Sequence, residues 1–112
     1  MSGSAPAGER CTWCGAAVGA GEGLRASAPA GGGRAVFCRL EHVVPWAIRG
    51  AAWEAGGDGD AGGVTECAWC AEPLRSDRVL LVAVRGEHRV PDGFCDVAHL
   101  LAWAKAGGRY RR

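Results

Sequence analysis

The sequence predicts a small α+β protein built from two similar units in tandem, and three observations carry this prediction. One pattern of cysteine, histidine and tryptophan residues occurs twice, with an offset of 56 residues at its start and 57 at its end. A chain of 112 residues divided in two leaves each unit too small to fold well without a metal, disulfides or a partner. In each half, a β-hairpin pattern also precedes a helical pattern.

The repeated pattern gives each unit three cysteines and one histidine. A Cys-x-x-Cys pair comes first, and a cysteine and a histidine four residues apart follow after a spacer. Three thiolates and one imidazole suit tetrahedral coordination of zinc. The sequence therefore predicts two structural zinc ions per chain, each closed by four protein ligands. The candidate ligands are Cys11, Cys14, Cys38 and His42 in the first unit, and Cys67, Cys70, Cys95 and His99 in the second.

The cysteines would form disulfides instead if the protein were secreted. Residues 1–10 have neither the basic start nor the apolar stretch of a signal peptide, and no segment approaches the length that spans a membrane. We therefore expect a cytoplasmic protein. In that reducing compartment, paired Cys-x-x-Cys motifs are more typical of metal sites than of disulfides.

Composition divides the chain into five segments. Small residues predict a disordered N-terminus, and a glycine-rich stretch predicts a flexible linker between the units. The predicted segments are a disordered N-terminus over 1–9, unit one over 10–54, a linker over 55–63, unit two over 64–107 and a basic tail over 108–112.

The elements are clearest in unit two. Its β-branched run is bounded by polar residues, and glycines follow its helical pattern. The sequence predicts a strand over Arg78–Arg85, a turn at Gly86-Glu87, a return strand over His88–Val90 ended by Pro91, and a helix from Cys95 to Gly107.

Unit one is a looser copy, with extended segments predicted near Leu24–Ala28 and Arg34–Phe37. Pro45 stands where unit two has Ala102, so the first helix should kink or begin anew at Pro45. The segment that follows, 46–53, has no evident counterpart in unit two. Its Ile48 and Trp53 would form a second apolar face, which either packs against unit two or contacts a partner.

The order of Cys-x-x-Cys knuckle, β-hairpin and helix is the layout of a treble-clef zinc finger. In that layout the first two ligands lie on a tight turn and the last two come from the opening turn of the helix. Ligands four residues apart on a helix share one face, so both can reach one ion. The aromatic residues beside the ligands, Phe37, Trp46, Phe94 and Trp103, are expected to form a small core around each ion.

The pattern CxWC, a spacer and FCxxxHxxxWA resembles the TRASH and MYM-type family of treble-clef fingers. The resemblance covers residues 11–47 and 67–104, with His42 and His99 where that family usually has cysteine. It implies two tandem fingers of a kind linked to metal sensing, trafficking and protein interaction. The excess of arginine over lysine suggests a high-GC, actinobacterial genome.

The segment Glu41–Pro45 is similar to the (D/E)HVxP opening of HNH nucleases, which implies that His42 is a general base. Such an enzyme also needs an asparagine, and the chain has none. Unit two lacks this motif, and His42 is already a predicted zinc ligand. We therefore do not expect a nuclease.

We expect a noncatalytic zinc-binding adaptor or regulatory protein with a protein partner, since the chain shows no nucleophile–base pair and no phosphate-binding loop. Metal or redox sensing is one alternative, because zinc-bound thiolates can be oxidised. Nucleic-acid binding is another, although the net charge of +1 would fall to about −1 with two zinc ions and six thiolates. Besides the basic tail, the arginines of unit one would form a second basic patch, comprising Arg10, Arg25, Arg34, Arg39 and Arg49. The candidate partner or nucleic-acid contacts are Trp53, Lys105, Arg109, Tyr110, Arg111 and Arg112.

Overall fold

The computed structural model describes residues 9–28, 32–54, 64–75 and 78–108. This part of the chain forms the predicted small α+β fold, with two antiparallel sheets and two helices. The predicted linker 55–63, tail residues 109–112 and nearly all of the predicted disordered N-terminus lie outside the described residues. The elements are β1 (Glu9–Arg10), β2 (Ala17–Val18), β3 (Leu24–Ser27), β4 (Arg34–Phe37), α1 (Val43–Ile48), β5 (Val79–Arg85), β6 (His88–Phe94) and α2 (Val97–Lys105).

The two units share one four-stranded sheet. Its strand order is β4-β3-β5-β6, so β3 of unit one pairs with β5 of unit two. A shift of 57 positions converts the Arg25–Val82 pair into itself and exchanges the Leu24–Ala83 pair with the Ala26–Leu81 pair. The two units are therefore related by an approximate two-fold axis, as in an isologous dimer interface. The register pairs are Leu24 with Ala83, Arg25 with Val82, and Ala26 with Leu81.

The core is also shared. Strand β5 is a nearly continuous apolar run because it lies inside the sheet, whereas β3 alternates between buried and half-buried residues. The helices α1 and α2 pack against each other, so the first helix does pack against unit two. One cluster of buried side chains includes Phe37, Val43 and Trp46 from unit one and Leu81, Phe94 and Leu100 from unit two.

The return strand of unit two is longer than the sequence predicts. Strand β6 runs from His88 to Phe94, and Pro91 lies within it opposite Val82. A proline is tolerated there because β6 has only one neighbouring strand at this position, so its missing N–H interrupts no ladder. The predicted turn is confirmed, with Gly86 at a φ of 64° that favours glycine.

The two Cys-x-x-Cys knuckles, residues 11–14 and 67–70, lie along opposite outer edges of this sheet. Thr12 and Val36 of β4 exchange two hydrogen bonds, from Thr12 N to the Val36 carbonyl oxygen (2.6 Å) and from Val36 N to Thr12 Oγ1 (2.9 Å). Ala68 N donates to the carbonyl oxygen of Gly93 in β6 at 2.8 Å. Each knuckle is therefore held against the strand that leads to the later ligands.

The first helix begins before Pro45, so of the two predicted alternatives, a kink or a new start at Pro45, the new start is wrong by two residues. A 3₁₀ turn over Leu40–His42 precedes α1, which starts at Val43. Pro45 is the third helical residue, where the missing N–H would have no partner within the helix in any case. The 3₁₀ turn occupies the positions that form the first turn of α2, since Leu40 is equivalent to Val97.

Both helices end in the same Schellman motif, so residues 46–51 do have a counterpart in unit two, at 103–108, whereas the equivalents of Ala52 and Trp53 lie outside the described residues. In each helix the N–H groups of two successive residues bond back to the last turn. The bonds are Gly50 N to Ala47 O (3.2 Å), Ala51 N to Trp46 O (2.9 Å), Gly107 N to Ala104 O (3.0 Å) and Gly108 N to Trp103 O (2.9 Å).

We expect Ala51→Gly to raise the free energy of unfolding by about 1 kcal/mol, because a left-handed backbone is costly for alanine. Ala51 has a φ of 52°, and its equivalent in unit two is a glycine, Gly108, with a φ of 75°. Urea denaturation measures the change. The control, Ala47→Gly inside α1, should lower the free energy of unfolding by about 0.5–1 kcal/mol. If Ala51→Gly also destabilised the protein, the left-handed backbone at Ala51 would not be a source of strain.

Glu9 ties the small β1–β2 sheet to the main sheet. Its carboxylate accepts hydrogen bonds from Arg25 Nε (3.1 Å) and Nη2 (2.7 Å), and it also forms an ion pair with Arg34. Burial opposes ionisation of Glu9, but the hydrogen bonds and charges of Arg25 and Arg34 lower its pKa. Two arginines of the predicted second basic patch are therefore already paired.

Glu9→Gln should lower the free energy of unfolding by about 1 kcal/mol at neutral pH, because it removes the charge between two arginines. Urea denaturation in dilute buffer measures this loss. In about 1 M salt, where the Debye length is about 3 Å, the difference between wild type and variant should shrink. An unchanged difference in high salt would show that the charge is not its source.

Candidate metal centres

The four predicted ligands of unit one converge on one point. His42 Nδ1 lies 3.6 Å from Cys11 Sγ and 3.3 Å from Cys38 Sγ, and Cys14 Sγ lies 3.7 Å from Cys38 Sγ. All four ligand atoms lie within 4.8 Å of one another. The knuckle supplies the first pair, and the chain between β4 and α1 supplies the second. We call this cluster site one.

Unit two repeats the arrangement as site two. His99 Nδ1 lies 3.5 Å from Cys67 Sγ, and Cys70 Sγ lies 3.6 Å from Cys95 Sγ. Here the end of β6 supplies Cys95, and the first turn of α2 supplies His99. The Asp96 carboxylate caps this helix by accepting a hydrogen bond from His99 N at 2.9 Å, which fixes the backbone beside the ligand.

These distances fit tetrahedral coordination of one ion by each cluster. Bonds of about 2.3 Å to sulfur and about 2.0 Å to nitrogen place two sulfurs about 3.8 Å apart, and a sulfur and a nitrogen about 3.5 Å apart. The observed separations of 3.6–3.7 Å and 3.3–3.6 Å agree with both values. The sulfur–sulfur separations are far longer than a disulfide bond, and all six cysteines are free thiols.

Backbone N–H groups in both knuckles point at the first cysteine of each pair. Cys11 Sγ accepts from Cys14 N at 3.5 Å, and Cys67 Sγ accepts from Trp69 N at 3.4 Å and Cys70 N at 3.5 Å. Such donors stabilise negative charge on sulfur. The fold is therefore prepared to hold these two residues as thiolates.

The pKa values of the thiols follow from this placement. Burial opposes ionisation of Cys11, but hydrogen bonds from the backbone of Cys14 and Cys38, together with His42, lower its pKa to about 6. The same balance, with burial outweighed by backbone hydrogen bonds, lowers the pKa of Cys67 to about 7.

The cysteines next to the helices behave oppositely. Burial and the neighbouring thiols raise the pKa of Cys38, and they raise that of Cys95 to about 12. In each cluster the first cysteine of the knuckle therefore ionises readily. The cysteine next to the helix ionises with difficulty, because its negative charge would lie beside the other two thiols. A dication offsets this repulsion, which makes each cluster suited to a metal ion.

The aromatic residues beside the ligands form the predicted small cores. The Phe37 and Trp46 rings meet edge to face with centroids 5.1 Å apart, and Phe94 and Trp103 lie at the same separation. The Trp53 ring packs edge to face on Trp46 at 4.9 Å, so this candidate partner contact also belongs to the packing of unit one.

Other predicted contact residues are divided between the surface and the part of the chain not described. Lys105 ends α2 and is exposed, and Ile48 is exposed on α1. The remaining candidates, Arg109, Tyr110, Arg111 and Arg112, lie outside the described residues.

The Trp13 ring is 39% exposed on the knuckle of unit one, and the Arg49 guanidinium carbon lies 5.9 Å from its ring centroid. The equivalent Trp69 is more buried. The sequence did not predict the Arg49 contact, because it joins the knuckle to the end of α1 across the metal cluster.

No helix among the described residues is long and apolar enough to cross a membrane. The fold and the two clusters define a class of protein, a small α+β protein with two Cys3His metal-binding sites. No protein-family model matches the chain, and no curated protein or solved structure matches it.

Proposed function

We propose that this protein is a noncatalytic interaction module with two structural zinc ions and two treble-clef-like fingers. The observation that carries the proposal is the pair of Cys3His clusters, whose ligand atoms lie within 4.8 Å of one another in each unit. The order of knuckle, β-hairpin and helix in both units supports the treble-clef assignment. The resemblance to TRASH and MYM-type fingers supports a role in regulation or protein interaction.

Zinc is the metal we propose, because thiolate and imidazole ligands in a tetrahedron favour it over harder ions. Four protein ligands per ion leave no position for a substrate, so the ions would serve the fold. His42, which lies in the segment similar to the HNH nuclease motif, would bind zinc through Nδ1. The partner would be another protein in the cytoplasm, where the thiols stay reduced.

The protein purified without chelators should carry two zinc ions per chain, and native mass spectrometry measures this content. The Cys95→Ser variant should carry fewer ions, whereas a conservative change at an exposed position, Val90→Thr, should keep two. A wild-type protein that retains no zinc, or only one ion, would overturn the proposal.

Nucleic-acid binding is a second candidate, favoured by one observation, the exposed Trp13 ring beside Arg49. An aromatic ring and a guanidinium are the groups that bind single-stranded nucleic acid. The test is fluorescence anisotropy with a labelled single-stranded oligonucleotide. Binding that weakens steeply with salt and is lost in Trp13→Ala would support this candidate; unchanged anisotropy at low salt would reject it.

A further inference from the structure

The surfaces around the two metal clusters carry opposite charges at equivalent positions. Arg10 of unit one is replaced by Glu66 in unit two, and Arg39 is replaced by Asp96. All four side chains belong to exposed residues, and none of them forms an ion pair within the described part of the chain. The duplication has therefore produced two similar surfaces with reversed charge beside the metal ligands.

The basic surface lies around knuckle one. Arg10 donates to the carbonyl oxygen of Gly15 (3.2 Å) at the end of the knuckle, and Arg39 follows a ligand directly. Arg49 lies over the exposed Trp13 ring. Glu41, beside His42, is an exposed acidic residue among these arginines. We call Arg10, Trp13, Arg39 and Arg49 the basic face.

The acidic surface lies around knuckle two and is concave. A cavity of about 530 Å³ opens at site two, and it is lined by the candidate ligands Cys70, Cys95 and His99 together with Glu72, Pro73, Leu74, Arg75 and Asp96. We call Glu66, Glu72 and Asp96 the acidic face.

The two knuckles do not lie side by side within one chain. The knuckles lie outside β4 and β6, at opposite edges of the four-stranded sheet. Five spacings of about 4.8 Å place them on the order of 24 Å apart. Arg10 and Glu66, which flank the two knuckles, therefore lie near opposite edges of the molecule, and a second copy can bring them together.

We propose that the basic face of one copy docks on the acidic face of the next copy, with Trp13 and its neighbouring arginines entering the cavity beside site two. This rests on the proposed interaction role and names the partner as a second copy of the chain. The contact is heterologous, so it builds head-to-tail chains or rings. Exposed charge pairs are individually weak, so the association depends on concentration and salt.

The experiment is sedimentation equilibrium of the full-length, zinc-loaded protein over a wide concentration range. In about 0.02 M salt the average mass should rise with concentration above the monomer mass of 11.6 kDa, and in about 0.5 M salt it should fall back. A monomeric mass at every concentration in low salt overturns the proposal. A nucleic-acid-free preparation, checked by its absorbance ratio, ensures that the mass reports protein alone.

Two charge-reversed variants make the test specific. The first, Arg39→Asp with Arg49→Glu, makes both faces acidic; the second, Glu66→Arg with Glu72→Arg, makes both faces basic. Each variant alone should self-associate about tenfold more weakly than wild type. An equimolar mixture of the two should associate again, because each then offers the charge that the other lacks. A mixture that stays monomeric overturns the proposal.

The matched control reverses the same number of charges at the far end of the β5–β6 hairpin, with Arg85→Glu and Arg89→Glu. It should associate like wild type, and loss of association there would show that net charge alone is responsible, against the proposal. Native mass spectrometry of the same samples separates the two proposals. Two zinc ions on a strictly monomeric protein reject head-to-tail docking alone, whereas missing zinc rejects the proposed function.

Discussion

Removing the metal ions with a chelator should unfold both units in one cooperative transition. Metal binding to small zinc domains contributes on the order of 10–16 kcal/mol to folding, which is as large as the whole net stability of about 5–15 kcal/mol of a typical domain. The tandem sequence by itself suggests two independent units. The pairing of β3 with β5 and the contact between α1 and α2 instead join them into one sheet and one core. Loss of either ion should therefore destabilise both units.

Circular dichroism and tryptophan fluorescence during chelator titration measure this transition, and native mass spectrometry counts the ions. The Cys95→Ser variant also tests whether the two units unfold together, because it removes a ligand of site two and leaves site one intact. We expect the variant to lose stability in unit one as well, and zinc should restore the chelated wild type. Two well-separated transitions, each releasing one ion, would contradict a shared fold.

Local chemistry explains which features could be predicted from the sequence. Cys-x-x-Cys and the four-residue spacing of Cys38 and His42 determine nearby geometry, so all eight ligands converge as predicted. The end of α2, at Lys105 and two residues before Gly107, also follows from a local rule, the positive φ that the Schellman motif requires of Gly107.

Non-local pairing explains what could not be predicted. Strand β3 has only four residues, of which Arg25 and Ser27 are half-buried, so its pattern does not reveal which strand it pairs with. Its partner β5 begins about 50 residues later. The sequence also could not show that Pro91 would lie on an edge strand, and β6 was therefore predicted too short. The charge reversal between the basic and acidic faces follows from the sequence alone, because alignment of the two units pairs Arg10 with Glu66 and Arg39 with Asp96.

Leu81→Ala should lower the free energy of unfolding by about 2–5 kcal/mol, the usual cost of a buried leucine-to-alanine change. Leu81 is 1% exposed on β5 and pairs with Ala26 of β3, next to the approximate two-fold axis. Leu81 is not a candidate ligand, and the shared sheet and core link its packing to both knuckles. We therefore also expect both zinc ions to be released at lower chelator concentration, because ligand convergence depends on the folded sheet.

Urea denaturation of the zinc-loaded protein measures the stability change, and chelator titration measures the release of the ions. Val90→Ala is the control, since Val90 is 50% exposed on the same sheet, and its effect should stay within about 0.5 kcal/mol. If Leu81→Ala weakened retention of the ion in unit two alone, β3–β5 pairing would not couple the units. Equal weakening at both sites would instead establish that the duplicated units hold their metals through one common sheet.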